Sequence, residues 1–221
     1  MQQDHRFRIS SNTTVVLVLI LTIFMESRVA FTFLFGALHF TGSEILSEIW
    51  LVLRIVSVLV VILFWWMKRK KPLFQTMIFA NSLLTLGLVA STYQMIVVLS
   101  SHNNANAVAL LNNVVRLAVV NILTFSIWYW LIDPPGIDET QPSDTPWEFL
   151  FPQRAASIPG YENWVPRYTD YLHLAFTTSV AFSPTDTLPL TRRAKVLMAV
   201  QAAVSLISIT VIAGSAVNIL S

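Results

Sequence analysis

Long apolar runs separated by short polar connections extend along most of the chain. The five runs with few charged side chains are residues 13–38, 49–67, 73–99, 107–132 and 196–220. A helix of about 20 residues crosses a hydrocarbon core of about 30 Å, because each residue adds about 1.5 Å. Since a segment in lipid must satisfy its own backbone hydrogen bonds, the pattern predicts five transmembrane helices in an all-α membrane protein.

The composition supports a membrane protein. Of the 221 residues, 55% are hydrophobic and only 12% are charged, whereas a soluble domain has about 25% charged residues. A net charge of +2 does not favour nucleic-acid binding, and the absence of cysteine excludes a disulfide-stapled module. We therefore expect the lipid bilayer as the main partner and no nucleic acid.

The positions of the basic residues predict the orientation of the chain. Lys and Arg precede the first run, form a block at 68–71 and recur between residues 133 and 195. The connections 39–48 and 100–106 contain neither residue. Because basic residues concentrate in cytoplasmic loops, we expect the N-terminus and the segment 133–195 in the cytoplasm.

The connection before the last run is the most informative part of the chain. Residues 133–195 contain nine of the ten prolines, and aromatic side chains in 133–167 favour an interfacial segment beside the bilayer. Residues 168–183 predict a short helix with its N-cap at Thr169 or Asp170, and its apolar part ends in the polar stretch Thr177-Thr178-Ser179. Its apolar part of about 12–14 residues is too short to cross a membrane. It is either a re-entrant helix or an interfacial helix that leads into the last span.

A short helix, a polar turn and a long helix form the plan of a pore loop. The C-terminus of a helix has a partial negative charge, which favours a cation in a water-filled cavity. Hydroxyl and carbonyl groups in the following turn can replace part of the hydration shell of an ion. The plan therefore divides the chain into a four-helix region (1–132), the proline-rich segment (133–167) and a pore-type region (168–221).

The last of these regions resembles the pore module of the potassium-channel superfamily. Ser179-Val-Ala-Phe-Ser183 resembles the filter strand Thr-Val-Gly-Tyr-Gly, and Asp186-Thr-Leu-Pro-Leu-Thr191 resembles the Asp-x-x-Pro-x-Thr that follows the filter. The stretch from Asp170 to Asn218 also looks like a group of uncharacterised bacterial inner-membrane proteins with a degenerate channel-like C-terminal half. The resemblance implies a homo-tetrameric, channel-like protein of the inner membrane that conducts small ions.

The resemblance also implies which residues form the pore. The filter-like residues are Thr177, Thr178, Ser179, Val180, Ala181, Phe182, Ser183 and Asp186. Both filter glycines are missing, so strict potassium selectivity is not expected. The candidates for the lining of the cavity are Gln201, Ser205, Ser208 and Ser215, which share one helix face. Close packing of small residues against a neighbouring helix is the alternative interpretation of that face.

Four charged residues lie inside the apolar runs, namely Glu26, Arg28, Arg54 and Arg116. A charge at mid-membrane costs at least about 2.5–3.5 kcal/mol, so each should face inward or reach the interface. We expect Glu26 to pair with Arg116. The pair is either a structural ion pair or the relay of a proton-coupled transporter.

Other functional classes have little support in the sequence. One His and one Asp in the short helix are too few for a metal site, and no catalytic constellation or phosphate-binding loop is present. We therefore expect no enzyme activity, no metal and no cofactor. A non-conducting membrane scaffold that uses the pore-loop fold for assembly alone is the remaining alternative.

Overall fold

The computed structural model describes residues 11–25, 43–100, 107–133, 147–155, 158–161, 164–182 and 186–220. In chain order the elements are α1 (Ser11–Met25), α2 (Ser43–Trp66), α3 (Lys70–Ser100), α4 (Ala107–Ile132), β1 (Phe149–Leu150), α5 (Pro152–Ala155), α6 (Tyr168–Ala181), β2 (Leu188–Pro189) and α7 (Arg192–Leu220). Apart from one pair of two-residue strands, the described elements are helices. The predicted all-α class is confirmed.

Four helices are long and apolar enough to cross a membrane. They are Glu48–Trp66, Lys70–Val97, Leu111–Ile132 and Arg192–Gly214. These four coincide with the second to fifth predicted runs, and they indicate a membrane-inserted protein. The apolar helix Asn12–Met25 is shorter, and residues 26–42 lie outside the described residues. A fifth span therefore stays a prediction.

Helix α4 is the centre of the bundle. It packs against α1, α3, α6 and α7, whereas the main contacts of the described part of α2 are with α1 and α3. In the most apolar part of α4, 56% of the residues are buried, whereas in the most apolar part of α2 only 17% are buried. Because α2 combines high hydropathy with an exposed surface, it suits a position next to lipid.

The basic block lies at a tight turn between α2 and α3. The amide of Arg69 donates to the carbonyl of Phe64 (3.1 Å), and the amide of Lys68 donates to the carbonyl of Trp65 (3.1 Å). Lys68 has a φ of 54°, so these two bonds form the Schellman motif that ends many helices. The turn places the cationic side chains at one end of the bundle.

The segment before α6 is partly built into the core. Strand β1 pairs antiparallel with β2, with Phe149 opposite Pro189. The ring of Phe149 lies 5.1 Å from that of Tyr129, and the ring of Phe151 lies 5.5 Å from that of Tyr171. Both phenylalanines are buried. This part of the predicted interfacial segment packs on α4 and α6 and ties the proline-rich segment to the entry of α7.

Candidate functional site

The short helix α6 lies antiparallel along the C-terminal part of α4. Near the start of α6, the hydroxyls of Ser126 and Tyr168 share a hydrogen bond of 2.6 Å. Near its end, Nδ2 of Asn121 lies 3.5 Å from Oγ of Ser179. Asn121 is about 17 Å along the helix axis from Ile132, at about 1.5 Å per residue. Helix α6 therefore begins near the C-terminus of α4 and ends beside the middle of that helix.

The start of α6 differs from the predicted cap. The helix begins at Tyr168 with Arg167 at the N-cap, so the N-cap expected at Thr169 or Asp170 is wrong. Oδ2 of Asp170 accepts a hydrogen bond of 2.6 Å from the amide of Arg167. Asp170 therefore caps the helix from its first turn, where a carboxylate is favoured by the helix dipole.

Gln201 joins α7 to both α6 and α4. Its Nε2 donates to the carbonyl of Ala175 (2.7 Å) and to Oγ of Ser179 (2.8 Å). Its Oε1 accepts a hydrogen bond from the hydroxyl of Tyr129. Gln201 and Tyr129 are fully buried. Because buried polar groups are costly without partners, these bonds hold the three helices in one register.

Asn121 completes this network from the centre of the bundle. Its Nδ2 donates to Oγ of Ser205 (2.9 Å) and to the carbonyl of Gln201 (3.3 Å). The side chain of Asn121 is fully buried between α4, α6 and α7. We call the side chains of Asn121, Tyr129, Ser179, Gln201 and Ser205 the interhelical polar network.

The residues expected to form a filter strand are helical up to Ala181. Helix α6 includes Ser179, Val180 and Ala181, and Phe182 ends it in the left-handed conformation with a φ of 57°. The helix therefore continues past the predicted end at Thr177-Thr178-Ser179, and the residues 179–181 that resemble a filter strand are not extended. No glycine is present there to make the carbonyl-inward conformation accessible, so the helix continues. Ser183 lies outside the described residues, and Asp186 is exposed.

Two of the filter-like hydroxyl groups, those of Thr178 and Ser179, are buried in the bundle. The hydroxyls of Thr177 and Thr178 donate to the carbonyl of Leu174, at 3.0 and 2.7 Å. Thr178 is 1% and Ser179 is 7% exposed, whereas Val180 is 59% exposed. The outer surface at the end of α6 is therefore apolar rather than hydroxyl-lined.

The lining candidates on α7 are buried within the chain. Gln201, Ser205 and Ser208 pack inward, and the hydroxyl of Ser208 donates to the carbonyl of Val204 (2.9 Å) on its own helix. The side chain of Ser215 lies outside the described residues. The face that these residues share is turned towards α4 and α6, which is the arrangement of the helix-packing alternative.

Of the four intramembrane charges, Arg54 is the most clearly placed. It is 2% exposed, and its Nη2 donates a hydrogen bond of 2.6 Å to the carbonyl of Ile23 near the end of α1. A guanidinium at the C-terminal carbonyls of a helix is favoured by the helix dipole. Arg54 is therefore an interior residue that joins α2 to α1.

The expected pair of Glu26 and Arg116 lies only partly within the described residues. Nη2 of Arg116 donates to Oδ1 of Asn113, one turn earlier on α4, at 2.9 Å. Glu26 and Arg28 lie outside the described residues. The ion pair and its role as a relay stay predictions.

A carboxylate that the sequence interpretation did not select lies at the C-terminus of α4. Asp133 accepts hydrogen bonds from the hydroxyl of Tyr171 (2.6 Å), from Nη1 of Arg154 (2.9 Å) and from the amides of Glu148 (2.8 Å) and Phe149 (3.2 Å). The side chains of Arg154 and Asp133 are 6% and 0% exposed. This Asp133 clamp holds the proline-rich segment against the end of α4 and α6. The feature of the sequence that could have identified Asp133 is its position, as an acidic residue directly after the aromatic end of the fourth apolar run.

The clamp also sets the state of the Tyr171 phenol. Burial raises the pKa of Tyr171 well above its ordinary value of 10.0, and the neighbouring Asp133 carboxylate raises it further. The phenol, which is protonated at neutral pH even at its ordinary pKa, donates a hydrogen bond to the Asp133 carboxylate. The guanidinium of Arg154 also lies over the ring of Trp147, at 4.7 Å from its centroid.

A second buried carboxylate anchors the start of α7. Oε1 of Glu148 accepts a hydrogen bond of 2.6 Å from Arg193, and Oε2 accepts one from the hydroxyl of Thr191. The carbonyl of Glu148 accepts a hydrogen bond of 2.8 Å from the amide of Leu190. Together with the strand pair, these contacts fix the entry of the last helix.

The described part of the chain contains no group of three or more His, Cys, Asp or Glu side chains that could hold a metal ion. Comparison with protein-family models, with curated proteins and with solved structures finds no match to this chain. The features that bear on function are therefore the geometry of α6, the interhelical polar network and the surfaces around them.

Proposed function

We propose that this protein is a homo-oligomeric membrane scaffold of the pore-loop type, in which α6 serves assembly rather than ion conduction. The observation that supports this proposal is the direction of the filter-like hydroxyl groups. Thr178 and Ser179 are buried within a single chain, together with the lining candidates Gln201 and Ser205. Polar groups that are satisfied inside one chain are not available to replace the hydration shell of an ion on an oligomer axis.

In this proposal α6 is a re-entrant helix. Its start lies beside the C-terminal end of α4 and its end lies beside Asn121, while β2 returns to pair with β1 next to the Asp133 clamp. A helix of 14 residues is about 21 Å long, which is shorter than the hydrocarbon core. Both ends of the loop then lie on one side of the membrane. The Lys and Arg residues of 133–195 support the cytoplasmic side of the membrane for both ends.

The end of α6 supports an assembly of several chains. The last four carbonyl groups of a helix have no partner within the helix, and irregular backbone does not occur in contact with lipid. Val180 and Phe182 are nevertheless 59% and 42% exposed at this end. The end of a re-entrant helix lies inside the bilayer. We therefore propose that another copy of the chain packs against the end of α6 and shields it from lipid.

Ion flux across vesicles tests the scaffold function. Liposomes that contain the purified protein should show the same potassium, sodium and proton flux as protein-free liposomes, measured with fluorescent ion and pH indicators under an imposed gradient. An ionophore added at the end of each trace confirms that the vesicles are sealed. Flux well above that of the protein-free vesicles would contradict the scaffold proposal.

Cross-linking tests the position of the interface between copies. The natural chain has no cysteine, so single-cysteine variants are free of background reaction. We expect Val180→Cys in membranes to form disulfide-linked dimers after mild oxidation. Leu59→Cys on α2 is the matched control, because Leu59 is 60% exposed and Val180 is 59% exposed. Equal cross-linking of both variants, or none of Val180→Cys with a short bis-maleimide, would contradict an interface at α6.

An ion channel is the second candidate, and the same exposed end of α6 favours it. Apart from protein, the backbone groups at the end of a helix inside a bilayer can be satisfied by water in a cavity. Several copies around an axis would then enclose a constriction lined by Val180, and apolar constrictions gate by dewetting. In the flux assay Val180→Ser should in that case conduct while the natural chain does not. If the flux through liposomes with either protein equals that of protein-free liposomes, the result favours the scaffold.

A further inference from the structure

Three buried side-chain oxygens on the facing helices α3 and α4 have no hydrogen-bond partner among the described residues. They are Oδ1 of Asn81 on α3 and, on α4, Oδ1 of Asn121 and Oγ1 of Thr124. All three residues are 0% exposed. Because a buried polar atom without a partner costs about 1–3 kcal/mol, three such atoms in one place require an explanation.

The three oxygens belong to neighbouring side chains. Nδ2 of Asn81 donates to the backbone carbonyl of Thr124 across the contact of α3 and α4, at 3.2 Å. Thr124 follows Asn121 by three positions on α4, and side chains at this spacing are about 5–6 Å apart at Cβ. Nδ2 of Asn121 donates to Ser205 and to the carbonyl of Gln201 on α7, and α7 also packs against α3. The three oxygens therefore share the junction of α3, α4 and α7.

The hydrogen bonds of the two amides fix which atoms are unpaired. Nδ2 of Asn81 faces the carbonyl of Thr124, and Nδ2 of Asn121 faces the carbonyl of Gln201 at 3.3 Å. A backbone carbonyl can only accept a hydrogen bond, so the atom that faces it must be the amide nitrogen. Both unpaired atoms are thus amide oxygens, which can only accept.

The hydroxyl of Thr124 differs from other hydroxyls in the same helices. On α3, the hydroxyls of Thr85 and Thr92 donate to the carbonyl four residues earlier, and Ser208 on α7 does the same. This local bond is the usual way in which a hydroxyl is satisfied in an apolar helix. Thr124 makes no such bond among the described residues, so its hydrogen is available as a donor.

We propose that the junction of α3, α4 and α7 is a binding site for one water molecule, held by Asn81, Asn121 and Thr124. The donors and acceptors balance: the hydroxyl of Thr124 donates to the water oxygen, and the two water hydrogens are donated to the two amide oxygens. Three hydrogen bonds are the usual number for a buried water. The proposal does not depend on the scaffold function.

Water fits these side chains better than a cation does. Three oxygens are fewer than the six or more that hard cations usually take. None of the three side chains has a negative charge that would offset the desolvation of an ion. The site therefore matches a neutral ligand that both donates and accepts hydrogen bonds.

The sign of a stability change tests the water site. Thr124→Val removes the donor, so the bound water loses one of its three hydrogen bonds. We expect the thermal unfolding midpoint in nanodiscs to fall by about 2–4 °C. Thr92→Val is the matched control, because Thr92 is a buried threonine that bonds only to its own helix. A midpoint that stays the same or rises in Thr124→Val would overturn the proposal, since the removal of an unsatisfied hydroxyl is neutral or stabilising.

Radiolytic footprinting of the natural chain provides a second measurement that needs no variant to fold. X-ray pulses generate hydroxyl radicals from bound water, and these radicals oxidise methionine beside it. Met77 is fully buried one turn before Asn81, while Met95 is buried further along α3. We expect oxidation of Met77 but not of Met95. Protection of both would overturn the water site.

The dependence of the thermal unfolding midpoint on the salt present distinguishes a bound water from a bound monovalent cation. The midpoint of the natural chain should be equal in sodium, potassium and choline chloride at one ionic strength. A rise of several degrees in sodium or potassium that disappears in Thr124→Val would assign the site to a monovalent cation and overturn the proposal for water.

Discussion

Asp133→Asn is expected to cause a larger loss of stability than any other single polar substitution outside the bundle centre. The substitution leaves the guanidinium of Arg154 buried without its counter-ion, and it weakens the acceptor of the Tyr171 hydroxyl. Removal of one partner of a buried ion pair costs about 3–5 kcal/mol. We therefore expect the thermal midpoint in nanodiscs to fall by at least about 6 °C.

Two further variants separate the ion pair from a general effect of lost charge. Asp186→Asn changes an exposed aspartate, and its midpoint should match that of the natural chain. Arg154→Met leaves Asp133 as the uncompensated charge and should also destabilise strongly. The double variant Asp133→Asn with Arg154→Met should lose less stability than the sum of the two single variants. Strict additivity would show that the clamp does not operate as a pair.

Gln201→Met is expected to loosen α6 from the bundle. The variant keeps a similar side-chain volume but leaves the buried hydroxyl of Tyr129 without its acceptor and removes both bonds to α6. With about 1–3 kcal/mol for a buried group that loses its partner, we expect a total loss of about 2–4 kcal/mol. Amide hydrogen exchange should show that α6 loses protection before α4 does.

Ser208→Ala provides the control for this second variant. Ser208 is buried on the same face of α7, but its hydroxyl bonds only to the carbonyl of Val204. Its loss should shift the midpoint by less than about 2 °C. If Gln201 instead lined an ion path, Gln201→Met would change flux in liposomes and leave the protection of α6 unchanged. That result would contradict both the interhelical polar network and the scaffold function.

The parts of the fold that depend on local patterns could be predicted from the sequence. The apolar runs became α2, α3, α4 and α7, because length and hydropathy alone decide whether a helix can cross a membrane. The break at the basic block between α2 and α3 and the existence of the short helix α6 were also predicted from local composition. The predicted end of the helix at Thr177-Thr178-Ser179 is wrong, because the helix continues to Ala181. Residues 179–181 resemble a filter strand but contain no glycine that would favour the extended conformation.

The sequence could not show the direction in which the polar side chains point. Gln201, Ser205 and Ser208 share one face of α7 by their spacing, and this spacing is the same for a water-filled conduit and for a neighbouring helix. Only the position of α4 and α6 against that face decides between them. Asp133 was missed for a related reason, since its four donors come from residues up to 38 positions away in the chain.

The sequence by itself determined that this is an all-α, membrane-inserted protein, and it located the short helix before the last span. These properties depend on hydropathy, length and local backbone preference, which act within a single segment. Only the tertiary structure decided that the hydroxyls of Thr177, Thr178 and Ser179 are satisfied inside one chain and that a buried carboxylate holds the proline-rich segment. Hydrogen bonds between distant segments exist only once the helices have packed, so their partners are set by the arrangement of α4, α6 and α7.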